Sequence, residues 1–297
     1  MIDETSTAFR VDGAKLIGIL HMPKQAPRIG VVIVVGGPQY RVGSHRQFPL
    51  LARQLAAQGI AVLRFDCRGM GDSAGEFPGF EHIAPDVAGA VDTLLANVPS
   101  LQHVILWGLC DATLAICQCA CQDARISGVV LLNPWVRTEA SHARAQLRHY
   151  YLQRLTDREF LVKILSGKFN PLASLRSLGR DLRRALTPGS RGDRVSVPRS
   201  GGENPLAQMM ATSLARFRGR ILLILSGNDL TAKEFEDATR ASEIWRRLYA
   251  DERLTLRHLE PADHTFSRRS WRDQVADWTS EWISNGNGST GQQPTVT

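Results

Sequence analysis

Five short runs of aliphatic and β-branched residues constrain the fold of this 297-residue chain most strongly. A continuous apolar run of this length predicts a strand that is buried on both faces. Stretches with helical spacing of apolar residues separate most of the runs, and alternating strands and helices predict a parallel sheet covered by helices. The runs are IGVVIVV (29–35), IAVLRFD (60–66), HVILW (103–107), RISGVVLLNP (125–134) and RILLILSGND (220–229). The predicted class is α/β, with a mostly parallel, doubly wound sheet.

The two ends of this pattern add further elements. TAFRV (7–11) and KLIGILHM (15–22) alternate in polarity around Asp12-Gly13, which predicts a β-hairpin with a tight turn. Towards the other end, the sequence predicts one helix over 234–250, a last strand LTLRHLE and a last helix RRSWRDQVADWTSEWI.

The alternating pattern breaks once. We predict a core of residues 1–133 and 217–284, an inserted basic helical lid at 134–216 and a disordered tail at 285–297. Residues 134–220 hold 17 Lys and Arg against 6 Asp and Glu, although the whole chain carries only +7. Such a segment either attracts an anionic lipid, phosphate or acidic partner, or is a solvated arginine-rich face.

Composition excludes several classes of protein. No apolar run reaches 18 residues and the N-terminus is polar, so neither integral membrane association nor a secretory signal is predicted. The five cysteines show no metal-site spacing, and reduced thiols in a cytoplasmic protein fit them best. No nucleic-acid motif accompanies the basic charge, and the G-x-G-x-x-A match at 69–74 lacks the helix that a nicotinamide site requires. We therefore predict no metal, organic cofactor or nucleic acid; the oligomeric state stays open.

Cys110 stands in the stretch WGLCDATLA, between a predicted strand and a predicted helix. A nucleophile on a strand–turn–helix elbow needs small neighbours, which Gly108 and Ala112 supply. The N-terminus of the helix would favour a thiolate. The alternative is a small buried apolar residue, which we prefer for Cys117, Cys119 and Cys121 within the helix.

GLCDA (108–112) resembles the G-x-[SC]-x-G nucleophile elbow of the α/β-hydrolases, with the cysteine that dienelactone hydrolases share. FDCRGMGDS (65–73) is similar to the loop after a neighbouring strand, SGND (226–229) to the acid-bearing strand end and ADHTF (262–266) to the histidine loop. Together with GGPQYRVGSHRQF (36–48), the elbow most resembles the exosortase A system-associated hydrolase 1 family, which accompanies exopolysaccharide and protein-sorting loci in bacteria.

The resemblance implies a catalytic triad of Cys110, Asp229 and His264, in the chain order of this superfamily. It also implies an oxyanion hole formed by the backbone N–H groups of Gly37 and Asp111. Asp229 could instead only cap the following helix, and His264 could be a surface histidine.

Three further residues, Arg41, His45 and Arg46, follow the oxyanion loop. They could contact an anionic or sugar-linked substrate, or they could be surface residues at the start of a helix. A carboxylate at Asp111, beside a developing oxyanion, is unexpected, and the sequence does not assign it a role.

These features predict a cytoplasmic hydrolase that cleaves a small-molecule ester or thioester through a cysteine acyl-enzyme. One alternative is an acyltransferase on the same triad, because a cysteine acyl-enzyme is itself a thioester and its acyl group can pass to an alcohol or amine. The other is a non-catalytic protein that binds an anionic partner through the basic lid. An intact Cys-Asp-His order argues against the second alternative.

Overall fold

The structure, a computed structural model, describes residues 3–36, 39–136, 204–240 and 242–286. Within these residues eight strands form one sheet in the order β1-β2-β4-β3-β5-β6-β7-β8. β1 and β2 run antiparallel to their neighbours and every other pair is parallel. The strands are β1 Asp3–Val11, β2 Ala14–Met22, β3 Ile29–Val34, β4 Ala61–Phe65, β5 His103–Leu109, β6 Ile126–Leu132, β7 Arg220–Ser226 and β8 Leu254–Leu259.

Helices cover both faces of the sheet, as the alternating pattern predicts. They are α1 Gln47–Ala57, α2 Ala84–Asn97, α3 Ala112–Ala120, α4 Pro205–Arg216, α5 Leu230–Arg240, α6 Glu243–Tyr249 and α7 Arg269–Asn285, with short 3₁₀ turns at Ser44–Arg46 and Phe80–His82. One apolar cluster packs α1 and α7 on one face, and a second packs α2 to α6 on the other. The central strands are buried on both sides because each face has its own helical layer.

The predicted hairpin is confirmed. Asp12 and Gly13 form its two-residue turn with φ of 47° and 82°, and Val11 pairs with Ala14. Two successive positive φ angles match the right-handed twist of the flanking strands, which is why Asp-Gly occupies this turn.

The prediction of a single helix over 234–250 is wrong. α5 begins earlier, at Leu230, and ends at Arg240, and α6 begins at Glu243 after an extended Ser242. The second helix turns Trp245 into the core, where its ring packs edge-on against Phe235 with centroids 5.0 Å apart.

Most of the predicted lid, residues 137–203, lies outside the described residues, as do residues 287–297 of the predicted tail. The last part of the lid segment forms α4, which buries Met210 and Leu214 against the core. Asn204 caps α4 by accepting hydrogen bonds from Leu206 N and Ala207 N at 3.0 and 3.1 Å. We therefore place the end of the insertion before Asn204. None of the described helices combines the length and the apolar character needed to cross a membrane.

Candidate active site

Cys110 lies on a sharp turn between β5 and α3, at the edge of the sheet where the parallel strands end. Its φ of 64° is in the left-handed region, which non-glycine residues rarely adopt and which costs roughly 1–2 kcal/mol. A Cβ at Gly108 would lie 2.5 Å from Ile116 Cδ1, so the position before the turn needs glycine. The backbone therefore has the strand–turn–helix elbow that the sequence predicts.

The residues after β6 hold the elbow in place. The backbone N–H of Cys110 donates to the carbonyl of Leu132 at 2.9 Å, and that of Trp135 donates to the carbonyl of Cys110 at 3.3 Å. On the other side, the hydroxyl of Thr113 donates to the same carbonyl at 2.5 Å. These bonds fix the strained turn from both neighbouring elements.

Asp229 follows β7 and has two sets of partners. Its Oδ1 accepts from Thr231 N at 3.0 Å and its Oδ2 from Ala232 N at 3.2 Å, which caps the start of α5. Oδ2 also lies 2.8 Å from Nδ1 of His264. One carboxylate thus both caps the helix and contacts the imidazole, and its role as the acid of a triad stays a prediction.

His264 interacts with both Asp229 and Cys110: its Nδ1 hydrogen-bonds to the Asp229 carboxylate, and the Cys110 thiol is near enough to affect the pKa of the imidazole. Burial lowers the pKa of His264, but its interactions with these two groups outweigh burial and raise the pKa to about 10. When neutral, the imidazole would carry its proton on Nδ1, towards the carboxylate, and present Nε2 to the thiol. The structure therefore brings Cys110, His264 and Asp229 together at one edge of the sheet; their action as a catalytic triad stays a prediction.

The structure describes only one of the two residues of the proposed oxyanion hole. Gly37 lies outside the described residues. Asp111 begins α3, directly after Cys110, and its Oδ1 would lie 2.1 Å from a Cβ built on Gly36. The Asp111 carboxylate thus lies against the backbone at the end of β3.

Arg41 does not lie free to meet a substrate. Its guanidinium donates to Asp66 through Nη1 and to Asp72 through Nη2, the latter at 2.6 Å, and its backbone N–H donates to Asp66 Oδ1 at 2.6 Å. Asp66 is fully buried. Arg41 therefore anchors the loop after β3, and a substrate contact by Arg41 stays a prediction.

His45 and Arg46 are exposed, and both have a left-handed backbone, with φ of 54° and 57°. Arg272 on α7 donates to the carbonyl of His45 at 2.9 Å. Burial raises the pKa of Asp263, but hydrogen bonds from Ser267 and Thr265 and the nearby His45 side chain together hold this pKa below its usual range. His45 therefore lies beside the histidine loop, and Arg46 follows it at the start of α1.

The remaining cysteines are structural. Cys67, Cys117 and Cys119 are buried, and burial raises the pKa of Cys119 to about 12, so its thiol stays protonated. All five cysteines are free thiols. Over the part of the chain that the structure describes, no group of three or more His, Cys, Asp or Glu side chains could hold a metal ion.

Asn133 is a site residue that the sequence analysis missed. It ends β6 at the same edge of the sheet, is fully buried and has a φ of 42°. Its side-chain amide donates to the backbone carbonyl of His264 at 3.0 Å. A polar residue directly after a buried strand, in Leu-Asn-Pro, was the signal available in the sequence.

Comparisons with known proteins bear on the fold and on the segment that holds the elbow. The model of the hydrolase family described as serine aminopeptidase, S33, matches residues 26–170, which include the elbow but neither Asp229 nor His264. A search of curated proteins found no match.

Several solved structures share the fold. An esterase of Pyrococcus furiosus is 14% identical with a TM-score of 0.64, over 96% of this chain and 93% of its own. A dienelactone hydrolase of Anabaena variabilis is 17% identical with a TM-score of 0.59, over 96% and 98%. A thermostable carboxyl esterase of Bacillus coagulans is 14% identical with a TM-score of 0.61, over 96% and 99%.

The sheet order, the elbow and these similarities show that the chain has the α/β-hydrolase fold. In most of the proteins with this elbow the nucleophile is serine, and here the position holds cysteine.

Proposed function

We propose that this chain is a hydrolase that cleaves an ester or thioester through a covalent acyl-enzyme on Cys110. The observation that carries the proposal is the arrangement of three side chains: Cys110 lies on the strained elbow with φ of 64°, its thiol is near enough to His264 to raise the pKa of the imidazole, and Nδ1 of His264 lies 2.8 Å from Oδ2 of Asp229. A nucleophile in contact with a base, and a base oriented by a carboxylate, is the arrangement that acyl transfer requires.

The proposed reaction begins with His264 already protonated on both ring nitrogens, the proton on Nε2 having come from Cys110, and the Cys110 sulfur attacks the carbonyl carbon of the substrate. The charge that develops on the carbonyl oxygen is stabilised by the backbone N–H groups of Asp111 and Gly37. The intermediate collapses, the bond to the leaving group breaks, and His264 donates its proton to the departing alcohol or thiol. Asp229 stabilises the imidazolium throughout.

Water then releases the acyl group. His264 removes a proton from the water as it attacks the thioester, and the carboxylic acid leaves as the Cys110 sulfur recovers the proton. The thioester intermediate is reactive enough for this step without a metal or an organic cofactor.

The expected substrates are small esters and thioesters, including anionic or sugar-linked ones. The exposed His45 and Arg46 near the histidine loop support anionic substrates. The likeness of GLCDA and GGPQYRVGSHRQF to exosortase-associated hydrolases supports a role in bacterial exopolysaccharide systems, and five free thiols support a cytoplasmic location. Acylated sugars that resemble exopolysaccharide units should therefore outperform simple alkyl esters of equal acyl length.

The test is the mass of the intact protein after brief mixing with short-chain p-nitrophenyl esters and acyl thioesters. We expect a transient acyl adduct on the wild type and none on Cys110→Ala, with Cys121→Ala as the matched control that keeps the adduct. Turnover that is independent of Cys110 would exclude the proposed nucleophile. Adding alcohols or amines as acceptors separates hydrolysis from acyl transfer, since a transferase would give the acylated acceptor in place of the free acid.

A further inference from the structure

Asn133 joins three elements at the edge of the sheet where the proposed triad lies. It follows the last residue of β6, and its backbone N–H donates to the carbonyl of Ile224 on β7 at 3.0 Å. Its side chain is fully buried, and its backbone is left-handed, a conformation that asparagine tolerates better than most residues. The position therefore combines a turn with a buried amide.

Both the oxygen and the nitrogen of the Asn133 side-chain amide form hydrogen bonds. Oδ1 accepts from the backbone N–H of Ser226 at 2.8 Å, and Nδ2 donates to Ser226 Oγ at 2.8 Å and to the His264 carbonyl at 3.0 Å. The Ser226 hydroxyl in turn donates to the carbonyl of Asp263 at 3.0 Å. Exchanging the oxygen and nitrogen of the amide would place an acceptor against the His264 carbonyl, so the network itself fixes the orientation.

The backbone around Asn133 also holds the nucleophile. Leu132, immediately before it, accepts from Cys110 N, and Trp135, two residues after it, donates to Cys110 O. One short segment therefore contacts the backbone of the elbow on one side and, through Asn133, the backbone of the histidine loop on the other. Ser226 lies only three residues before Asp229, so the acid-bearing strand is tied to the same point.

We infer that Asn133 is a positioning residue that sets the reach of His264 to Cys110, with Ser226 as its partner. The inference rests on the proposed function, because it concerns the transfer of a proton between those two side chains. Asparagine suits the role since it supplies a donor and an acceptor from one rigid amide and adopts a left-handed backbone. A displacement of about 1 Å between reacting groups can lower a rate by about 10²-fold.

The experiment compares Asn133→Gly and Asn133→Asp with the wild type. Glycine keeps the left-handed backbone and removes the amide, and aspartate keeps the shape but places oxygen against the His264 carbonyl. We expect kcat to fall by about 10²-fold in both, with KM changed by less than about threefold. Ser226→Ala removes only the bridging hydroxyl and should lower kcat by about tenfold. Thr239→Val, which removes a buried hydrogen bond at the far end of α5, is the stability-matched control and should keep kcat.

Alkylation of Cys110 by iodoacetamide, followed by peptide mass mapping, tests the same contact without any substrate. At pH 6.5 we expect the Asn133 and Ser226 variants to react about tenfold more slowly than the wild type, and Thr239→Val to react at the wild-type rate. Folded Asn133 variants that keep both kcat and the alkylation rate would overturn the inference. If the Asn133 variants do not fold, Ser226→Ala replaces them, and a folded Ser226→Ala that keeps both kcat and the alkylation rate would overturn the inference.

His264→Ala separates this inference from the proposed function. If His264→Ala leaves alkylation and turnover unchanged, the proposed triad itself is wrong. If His264→Ala abolishes them but the Asn133 and Ser226 variants do not alter them, the triad stands and the positioning role of Asn133 is excluded.

Discussion

Oδ2 of Asp229 lies 2.8 Å from Nδ1 of His264 while the same carboxylate caps the first turn of α5. Two backbone N–H groups hold the carboxylate still, so the imidazole meets a fixed acceptor. Structural and proposed catalytic roles therefore depend on the same two oxygens.

This double role makes Asp229→Asn an informative variant. Asparagine is an equally good helix cap, so the chain should still fold, but the variant loses the charge that stabilises protonated His264 and its free energy of unfolding near neutral pH should fall. Its amide can present N–H to His264 and favour the wrong tautomer, so kcat should fall by up to about 10⁴-fold. Steady-state kinetics and urea unfolding measure the two effects. Asp263→Asn is the control, since Asp263 accepts a hydrogen bond from Ser267 and not from His264. If Asp263→Asn lost activity while Asp229→Asn kept full activity, Asp263 and not Asp229 would be the acid of the triad.

The raised pKa of His264 predicts how stability depends on pH. Burial opposes the shift, but the interactions with Asp229 and Cys110 raise the pKa to about 10 from an ordinary value near 6.5. Below pH 6.5 both folded and unfolded chains hold this proton, and the stabilisation is complete. Between pH 6.5 and about 10 the unfolded chain releases the proton first, so the free energy of unfolding should fall as pH rises.

Urea unfolding at pH 6.5, 8 and 9.5 checks this expectation. His264→Gln should show a shallower decline than the wild type, because it lacks the group that keeps its proton in the folded chain. Equal slopes in the two proteins would mean that His264 does not hold a raised pKa.

The sequence predicted the sheet and the elbow well because both depend on local features. A strand buried on both faces must be apolar throughout, and a nucleophile elbow must have small neighbours, as with Gly108 and Ala112. The parallel direction of most strands followed from their alternation with helices, whereas the order of the strands in the sheet was not predicted. The end of α5 was missed because apolar spacing continues past Ser242 into α6.

Long-range polar contacts could not be predicted in the same way. Asn133 bonds residues 93 and 131 positions away, and nothing in its neighbours along the chain specifies those partners. The sequence left Arg41 open between a substrate contact and a surface residue, and it could not indicate the bond to Asp66, which comes 25 positions later in another loop. Polar side chains acquire their roles only when the sheet brings distant strand ends together.

Gly36 should be intolerant of any side chain. A Cβ there would lie 2.1 Å from Asp111 Oδ1 and 2.8 Å from both Ala112 N and Leu109 O, all parts of the elbow. Because backbone cannot move away as a long side chain can, Gly36→Ala should displace the elbow and lower kcat by at least about 10²-fold. Gly59→Ala is the matched control: Gly59 has a φ of 88° with nothing within 4 Å, so it should cost only about 1–2 kcal/mol of stability and no activity. Equal activity in the two variants would contradict the close approach at Gly36.

Arg41 and Arg46 should respond differently to the same substitution. Arg41→Gln removes the partner of the fully buried Asp66 and should lower the free energy of unfolding by about 3 kcal/mol. Arg46 is exposed, so Arg46→Gln should change stability by less than about 0.5 kcal/mol. If the substrate is anionic, Arg46→Gln should instead raise KM for an anionic ester and leave KM for a neutral ester of equal acyl length unchanged. If Arg41→Gln were as stable as the wild type and raised KM only for the anionic ester, Arg41 would contact the substrate and would not serve mainly to anchor its loop.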